Sequence, residues 1–367
     1  MDSDLLLVLV VGTALAFDFT NGFHDTANVV ATSISTRALR PRAAVALAAV
    51  LNFVGAFLSL EVAATVASGI VESSSVTLTV IFAGLVGAIV WNLVTWAAGL
   101  PSSSSHALIG GVVGSALAAA GPDAVIGEGL LGKVLIPALI APTLAFIVAG
   151  IAILLAYRVV GRQRPGPVAR GFRTGQIVSG GLLALAHGTN DAQKTMGVIT
   201  LALVAHGTLG AENPEVPFWV IFSAATAIAL GTYSGGWRII KTMGSRIIRM
   251  DAAQGFTAQG SGAAVILAAT HAGFPLSTTH VITGAVMGSG AAKRLSAVRW
   301  GLAGNIFLAW ILTVPMAGGT GALVYGFMRL FGTGVVGPII IATVLFSALI
   351  VLGISRVRAQ HPSPEPV

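Results

Sequence analysis

Long apolar runs dominate the chain, near 4–20, 43–70, 76–99, 134–157, 176–205, 217–237, 256–273, 300–328 and 336–354. Most are on the order of 20 residues, the length an α-helix needs to cross the hydrocarbon of a bilayer. Two shorter, Gly-rich apolar pieces, 106–120 and 280–292, follow Pro101 and Pro275. The alternating pattern of a transmembrane β-barrel does not occur. These runs predict an all-α polytopic membrane protein. Composition agrees: 9% of residues are charged and mean hydropathy is +0.90, whereas soluble domains carry about 25% charged residues. The 46 glycines suit close helix packing and broken helices.

Charge then orients the chain. Lys and Arg cluster at Arg37–Arg42, Arg158–Arg173, Arg238–Arg249, Lys293–Arg299 and Arg356–Arg358. Short basic loops stay on the cytoplasmic side, so the net charge of +7 reports topology and gives no reason to expect nucleic acid. The stretches 71–75 and 206–217 contain no Lys or Arg and should be external, as should the N-terminus. The opening "MDSDLLLVLVVGTALAF" carries Asp2 and Asp4 where a cleaved signal would be basic, so it reads as a retained first helix. With no cysteine, disulfide and thiolate chemistry are absent. The expected site is a multi-pass position in the cytoplasmic (inner) membrane.

Polar residues interrupt the hydrocarbon at four places, and the four form two pairs. "NGFHDTANVVAT" (21–32) is similar to "HGTNDAQKTMGV" (187–198), with Asp25 over Asp191. "GLPSSSSHALIGGVVGS" (99–115) is similar to "GFPLSTTHVITGAVMGS" (273–289), with Pro101 over Pro275 and His106 over His280. The offsets are 166 and 174 residues, so one duplicated unit explains both pairs. The first HD/ND motif precedes a basic loop and the second follows one, which implies opposite insertion. The expected organisation is therefore a first membrane repeat (1–157), a basic cytoplasmic linker (158–173), a second, inverted membrane repeat (174–354) and a C-terminal tail (355–367). Inverted repeats of broken helices and helical hairpins are the plan of secondary carriers, with the site between the halves at the midplane.

The motifs carry matching chemistry. Asn21, Asp25 and Asn28 share one helical face, and Asn190, Asp191 and Lys194 nearly do. A charge at the bilayer centre costs about 2.5–3.5 kcal/mol on insertion scales, so two Asp and a Lys need partners, water or ligand. "PSSSSH" and "PLSTTH" place hydroxyls where a helix begins, and a helix start favours an anion. Four adjacent serines exceed what capping requires. Hydroxyls and helix starts can hold an oxyanion; carboxylates and amide oxygens can hold a cation or a proton. His106 and His280 fit either ligand binding or hydrogen bonding within the hairpins. Residue chemistry alone leaves the oxyanion open.

These motifs resemble the inorganic phosphate transporter (PiT) family, and "NGFHDTANVVAT" with "AHGTNDAQKTMGVI" is similar to its bacterial low-affinity branch. The resemblance implies an inverted-repeat symporter for inorganic phosphate, often homodimeric and driven by an ion gradient. It implies a substrate site at Asp25, Asn28, Ser103, Ser104, Ser105, Asn190, Asp191, Ser277, Thr278 and Thr279, with no catalytic residue, resident metal or cofactor. In the sodium-coupled branch both copies read like N-D-x-x-N; here His24 and Lys194 replace an Asn in each. An ammonium repels sodium, and His titrates near physiological pH. His24, Asp25, Asp191 and Lys194 are thus expected to couple transport to the proton, with the cargo a free phosphate or a neutral metal–phosphate complex. The alternatives are sodium coupling and sulfate as substrate.

Two other classes fit less well. An intramembrane serine hydrolase needs one nucleophile, whereas this site is duplicated, and no G-x-S-x-G elbow or H-E-x-x-H pair occurs. An anion channel would show no ion-driven accumulation. Glu61, about 28 Å along a helix from Arg42, is expected at the outer interface. Trp91, Trp96, Trp219, Trp237 and Trp300 read as interfacial anchors, and Met196 and Met287 as packing.

Overall fold

A computed structural model describes residues 2–72, 75–212, 214–332, 334–345 and 347. The Arg356–Arg358 group, the tail and the end of the last apolar run lie outside the described residues. Helices account for nearly all regular structure. They are α1 (Asp2–Ser35), α2 (Pro41–Gly55), α3 (Glu61–Ser68), α4 (Leu78–Ala98), α5 (Ser104–Ala120) and α6 (Gly127–Val160). They continue with α7 (Pro165–His206), α8 (Phe218–Ser234), α9 (Trp237–Arg246), α10 (Ala252–His271), α11 (Thr278–Lys293), α12 (Trp300–Arg329) and α13 (Val336–Leu345). The order repeats: a motif helix, a broken pair, a helix, a Pro-led short helix and a long helix run from α1 to α6 and again from α7 to α12. Among the described residues, helices α1, α4, α6 and α12 are long and apolar enough to span a membrane, and α8 with α9, bent by 59° at their break, meets the same criterion when taken as one.

Local sequence sets the hairpin tips. Gly99 and Gly273 end α4 and α10 at φ of 68° and 73°, a left-handed conformation that glycine adopts without steric penalty. Two residues later Pro101 and Pro275 prevent the helix from resuming. Ser103 and Ser277 then cap α5 and α11, accepting from the backbone N–H of His106 and His280 at 3.1 and 3.2 Å. The same three-step grammar thus builds both tips.

The run 43–70 is not one helix: it divides between α2 and α3. A side chain of α7 stabilises the break. Gln193 Oε1 accepts from Val62 N and Ala63 N at 2.8 and 3.1 Å, satisfying the first turn of α3, and Thr189 donates to Gly55 O. Broken backbone at membrane depth is tolerated where protein groups satisfy it in this way. Within the basic segment 158–173, residues 161–164 lie between helices and α7 begins at Pro165.

The apolar interior forms two cores. The outer one gathers Leu6–Phe17 of α1, Leu78–Ile89 of α4, Ala107–Ala116 of α5, Ala192–Leu203 of α7 and Val220–Ile228 of α8. The inner one gathers Ala27–Ala31 of α1, Ala141–Ile153 of α6, Leu183–Ala186 of α7, Ala258–Ile266 of α10 and Val281–Ala291 of α11. Helices α1 and α7 therefore cross from one core to the other in opposite directions. The α4–α5 hairpin belongs to the outer core and the α10–α11 hairpin to the inner one. Packing is reciprocal: α5 lies against α12, and α11 against α6. Glycines permit both approaches, since a Cβ on Gly114 would overlap Gly318 and one on Gly288 would overlap Phe146. The basic segments 37–42, 158–173, 238–249 and 293–299 fall at the inner core's end. By the charge rule that end is cytoplasmic.

Candidate functional site

Between the two cores lies a polar seam, crossed by α1 at 18–28 and by α7 at 187–195. Both hairpin tips end in it. His24, Asp25, Asn28, Asp191, Lys194 and the hydroxyl residues 103–105 and 277–279 are all buried.

On the α1 side, His24 Nδ1 lies 2.7 Å from Asp25 Oδ1, and its Nε2 lies 3.1 Å from the Thr95 hydroxyl of α4. Asp25 Oδ1 also accepts from Thr279 at 3.2 Å. Asn28 donates to Thr279 and Thr278 at 2.9 and 3.4 Å. On the α7 side, Lys194 Nζ donates to Asp191 Oδ1 at 2.5 Å, Ser105 Oγ at 2.6 Å and Leu276 O at 2.7 Å. Thr278 donates to Asp191 Oδ2 at 3.2 Å. The second hairpin tip is thus held by both motif helices, and Lys194 reaches across to Ser105 of the first tip.

The tips themselves meet. The rings of His106 and His280 are 4.8 Å apart, edge to face, and His280 stacks on Trp310 of α12 at 3.9 Å. Each ring thus packs against the other tip, while His280 Nε2 has no hydrogen-bond partner among the described residues. In the first turns of α5 and α11 the N–H groups have no intrahelical acceptor, so two donor-rich helix starts converge on the seam. Ser104 Oγ, in the first of these turns, is buried without a hydrogen-bond partner among the described residues.

Most of the predicted set is therefore drawn together: Asp25, Asn28, Ser105, Asp191, Thr278, Thr279, His24 and Lys194 form one connected network. Ser103 and Ser277 serve as caps. Asn190 turns to α10, donating to Thr270 Oγ1 at 2.7 Å and to Phe274 O, just beyond that helix, at 3.1 Å, while its Oδ1 has no partner among the described residues. Glu61 is exposed at the start of α3. Trp219, Trp237 and Trp300 are about half exposed, as anchors require. Trp91 is not such an anchor, since its indole N–H points inward to Ser102 and Thr313 at 3.0 and 3.1 Å. Trp96 packs on Phe23 instead, and Met196 and Met287 are buried in the two cores.

Several participants escaped the sequence reading. His187 Nε2 lies 3.2 Å from Asp191 Oδ2, outside hydrogen-bond geometry, and its Nδ1 lies 3.1 Å from Asn52 Oδ1. Its position four residues before Asp191 was the available signal. Thr95 and Trp310 had none, because only tertiary packing brings them in. Asp25, His187 and Asp191 offer ligand atoms all within 4.8 Å of one another, a set that could hold a cation. Two aspartates 166 residues apart in sequence thus face a common point.

Chemically, the seam pairs anion-binding donors with carboxylates and a buried ammonium. The comparisons with known proteins agree with that character. The profile of the Phosphate transporter family matches residues 21–321. A probable low-affinity inorganic phosphate transporter of Mycobacterium bovis is 55% identical over 89% of this chain and 78% of its own length. Proteins bearing the same description from Rhizobium meliloti and Bacillus subtilis are 51% and 45% identical, over 89% and 88% of this chain and 98% and 96% of their own. A solved structure titled the sodium-dependent phosphate transporter superposes with a TM-score of 0.79 at 25% identity, covering 89% of this chain and 99% of that one. Its family is one of transport proteins rather than enzymes, and its spans place it in the cell membrane as a multi-pass protein. A chain with this helix order, this seam and these relatives belongs to the phosphate transporter family.

Proposed function

We propose that this protein carries inorganic phosphate across the cytoplasmic membrane in symport with protons, holding the anion between the two hairpin tips and the Asp25–Asp191 pair. The observation that carries the reading is Lys194, whose ammonium sits 2.5 Å from Asp191 and 2.6 Å from Ser105. A fixed positive charge there fills the place a bound sodium would take, and it is poised to meet an anion arriving at the α5 start. The alternative cation cluster includes an imidazole nitrogen, whereas hard cations prefer oxygen. A metal–phosphate complex is the form of cargo in which that cluster would take part, its metal being substrate.

The carboxylates also discriminate. An ionised carboxylate only accepts hydrogen bonds, so it can bond a phosphate that retains a proton but repels sulfate, which has none. The opposite directions of α1 and α7 and the reciprocal packing of α5 and α11 support an inverted repeat of 1–157 and 174–354. Alternating access would then exchange exposure of the seam between its two faces. We read the functional unit as a homodimer.

Uptake of radiolabelled phosphate into proteoliposomes tests the assignment. Accumulation should follow an imposed pH gradient, persist without sodium, and resist an excess of sulfate. Sodium-dependent accumulation that ignores a proton uncoupler would overturn the coupling, and sulfate competing as well as unlabelled phosphate would overturn the substrate.

A further inference from the structure

One buried acid plays no part in the network just described. Asp18 of α1 is fully buried, and neither carboxylate oxygen has a hydrogen-bond partner among the described residues. Asn21 stands one turn further along α1 and Thr195 on the facing α7; Asn21 Oδ1 and Thr195 Oγ1 are likewise buried with no hydrogen-bond partner among the described residues. Asp18 stands seven residues before Asp25, about 10 Å along the helix. It follows Phe17, the last α1 residue of the outer core, so it marks the outer edge of the seam.

We propose that Asp18, with Asn21 and Thr195, is the station at which the carrier binds its coupling proton on the outer side of the phosphate site. This rests on the reading of the protein as a proton symporter. The Thr195 hydroxyl and the Asn21 amide N–H are the cluster's donors, but among the described residues no donor bonds either carboxylate oxygen within hydrogen-bond geometry, so a proton on Asp18 removes a charge that nothing in contact compensates. Burying the ionised form without a partner costs far more than burying the neutral acid.

The surroundings suit a proton that must respond to phosphate. The charged groups acting on Asp18 are Asp191 and Lys194, both from α7. Of the other helices packed on α1, α4 has no ionisable side chain, α8 has only Tyr233 near its inner end, α2 only Arg42 at its inner end, α5 His106, α10 His271, and α11 His280 and Lys293. The basic residues of α9 lie beside the inner part of α1, where Gly244 meets Ala31 and Ser35. Asp191 and Lys194 neutralise each other while paired. When phosphate draws the Lys194 ammonium toward the tips, an ionised Asp18 would face two negative neighbours and a protonated Asp18 would not. Proton and phosphate thus favour each other's binding, as symport requires. The proton enters from outside onto a carboxylate oxygen and leaves from the same oxygen inward, with no other bond changed.

Asp18→Asn keeps the shape and removes the titration. In proteoliposomes with a one-unit pH gradient and no membrane potential, the wild type should accumulate phosphate up to about tenfold per coupled proton. Asp18→Asn should fall to no accumulation while phosphate counterflow, which needs no net proton movement, persists. Asp18→Glu, which retains an acid, should restore gradient-driven accumulation. Wild-type accumulation in Asp18→Asn would overturn the assignment while leaving proton symport standing. A wild type driven by sodium and not by pH would overturn the symport reading, and the proton station with it. Loss of counterflow together with accumulation in both variants would make Asp18 a structural residue and also overturn the station.

Discussion

Lys194→Asn restores at 194 the amide that the sodium-coupled pattern N-D-x-x-N places there, and it isolates what the ammonium does. Lys194 makes three buried contacts, to Asp191 at 2.5 Å, Ser105 at 2.6 Å and Leu276 O at 2.7 Å. Removing one member of a buried ion pair costs about 3–5 kcal/mol, because the other charge is left uncompensated. The lost bonds to Ser105 and Leu276 are not additive with this term, so a loss of about 3–5 kcal/mol overall is expected in KCl. Asp191 would retain the imidazole of His187, at 3.2 Å, and would gain room for an ion. If sodium enters, saturation at a hundredfold over its dissociation constant returns about 2.7 kcal/mol. Unfolding of the detergent-solubilised protein in matched NaCl and KCl measures both effects. The wild type should be indifferent to the cation, and Lys194→Asn should be destabilised in KCl and recover substantially in NaCl. A variant that loses less than about 1 kcal/mol in KCl, or that gains nothing from sodium, would refute the view that Lys194 stands in for a bound ion.

At the hairpin tips, Ser104→Ala or Thr278→Ala should weaken phosphate binding by about 1–2 kcal/mol per lost bond, read by calorimetry. Unfolding should be nearly unchanged in Ser104→Ala, whose hydroxyl bonds no described residue, and easier by about 1–3 kcal/mol in Thr278→Ala, which leaves Asp191 and Asn28 each short of a buried bond. Unchanged uptake in a Ser103/Ser104/Ser105 triple-alanine protein would place the substrate elsewhere. For topology, cysteines introduced at Arg40 and Arg173 should react with an impermeant reagent from the same, cytoplasmic side; labelling from opposite sides would refute the inverted arrangement.

Much of this protein was legible in the chain because membrane insertion leaves a strong imprint on sequence. Spans, orientation and the duplication follow from runs of apolar residues, the placement of Lys and Arg, and two motif pairs in the same order. The hairpin tips were legible too, since Gly, Pro and Ser each fix a local conformation: Gly99 ends a helix, Pro101 blocks its return and Ser103 caps the next. These are short-range effects that neighbouring residues settle among themselves.

What depends on distant packing was not written in any local pattern. The division of 43–70 rests on Gln193, more than a hundred residues away, and an apolar run looks the same whether or not another helix satisfies a break in it. The inward turn of Trp91 and the stacking of Trp310 on His280 likewise arise where α12 crosses the first hairpin, and an indole at a span end carries no mark of which way it will face. The meeting of Asp25, His187 and Asp191, and the exclusion of Asp18 from that network, depend on how α1 and α7 pass each other. The sequence by itself determined which polar residues must lie within the membrane, because each carries its own insertion cost. Only the tertiary structure decided which of them share a partner, because hydrogen bonds over about 3 Å depend on the relative placement of helices that no local propensity sets.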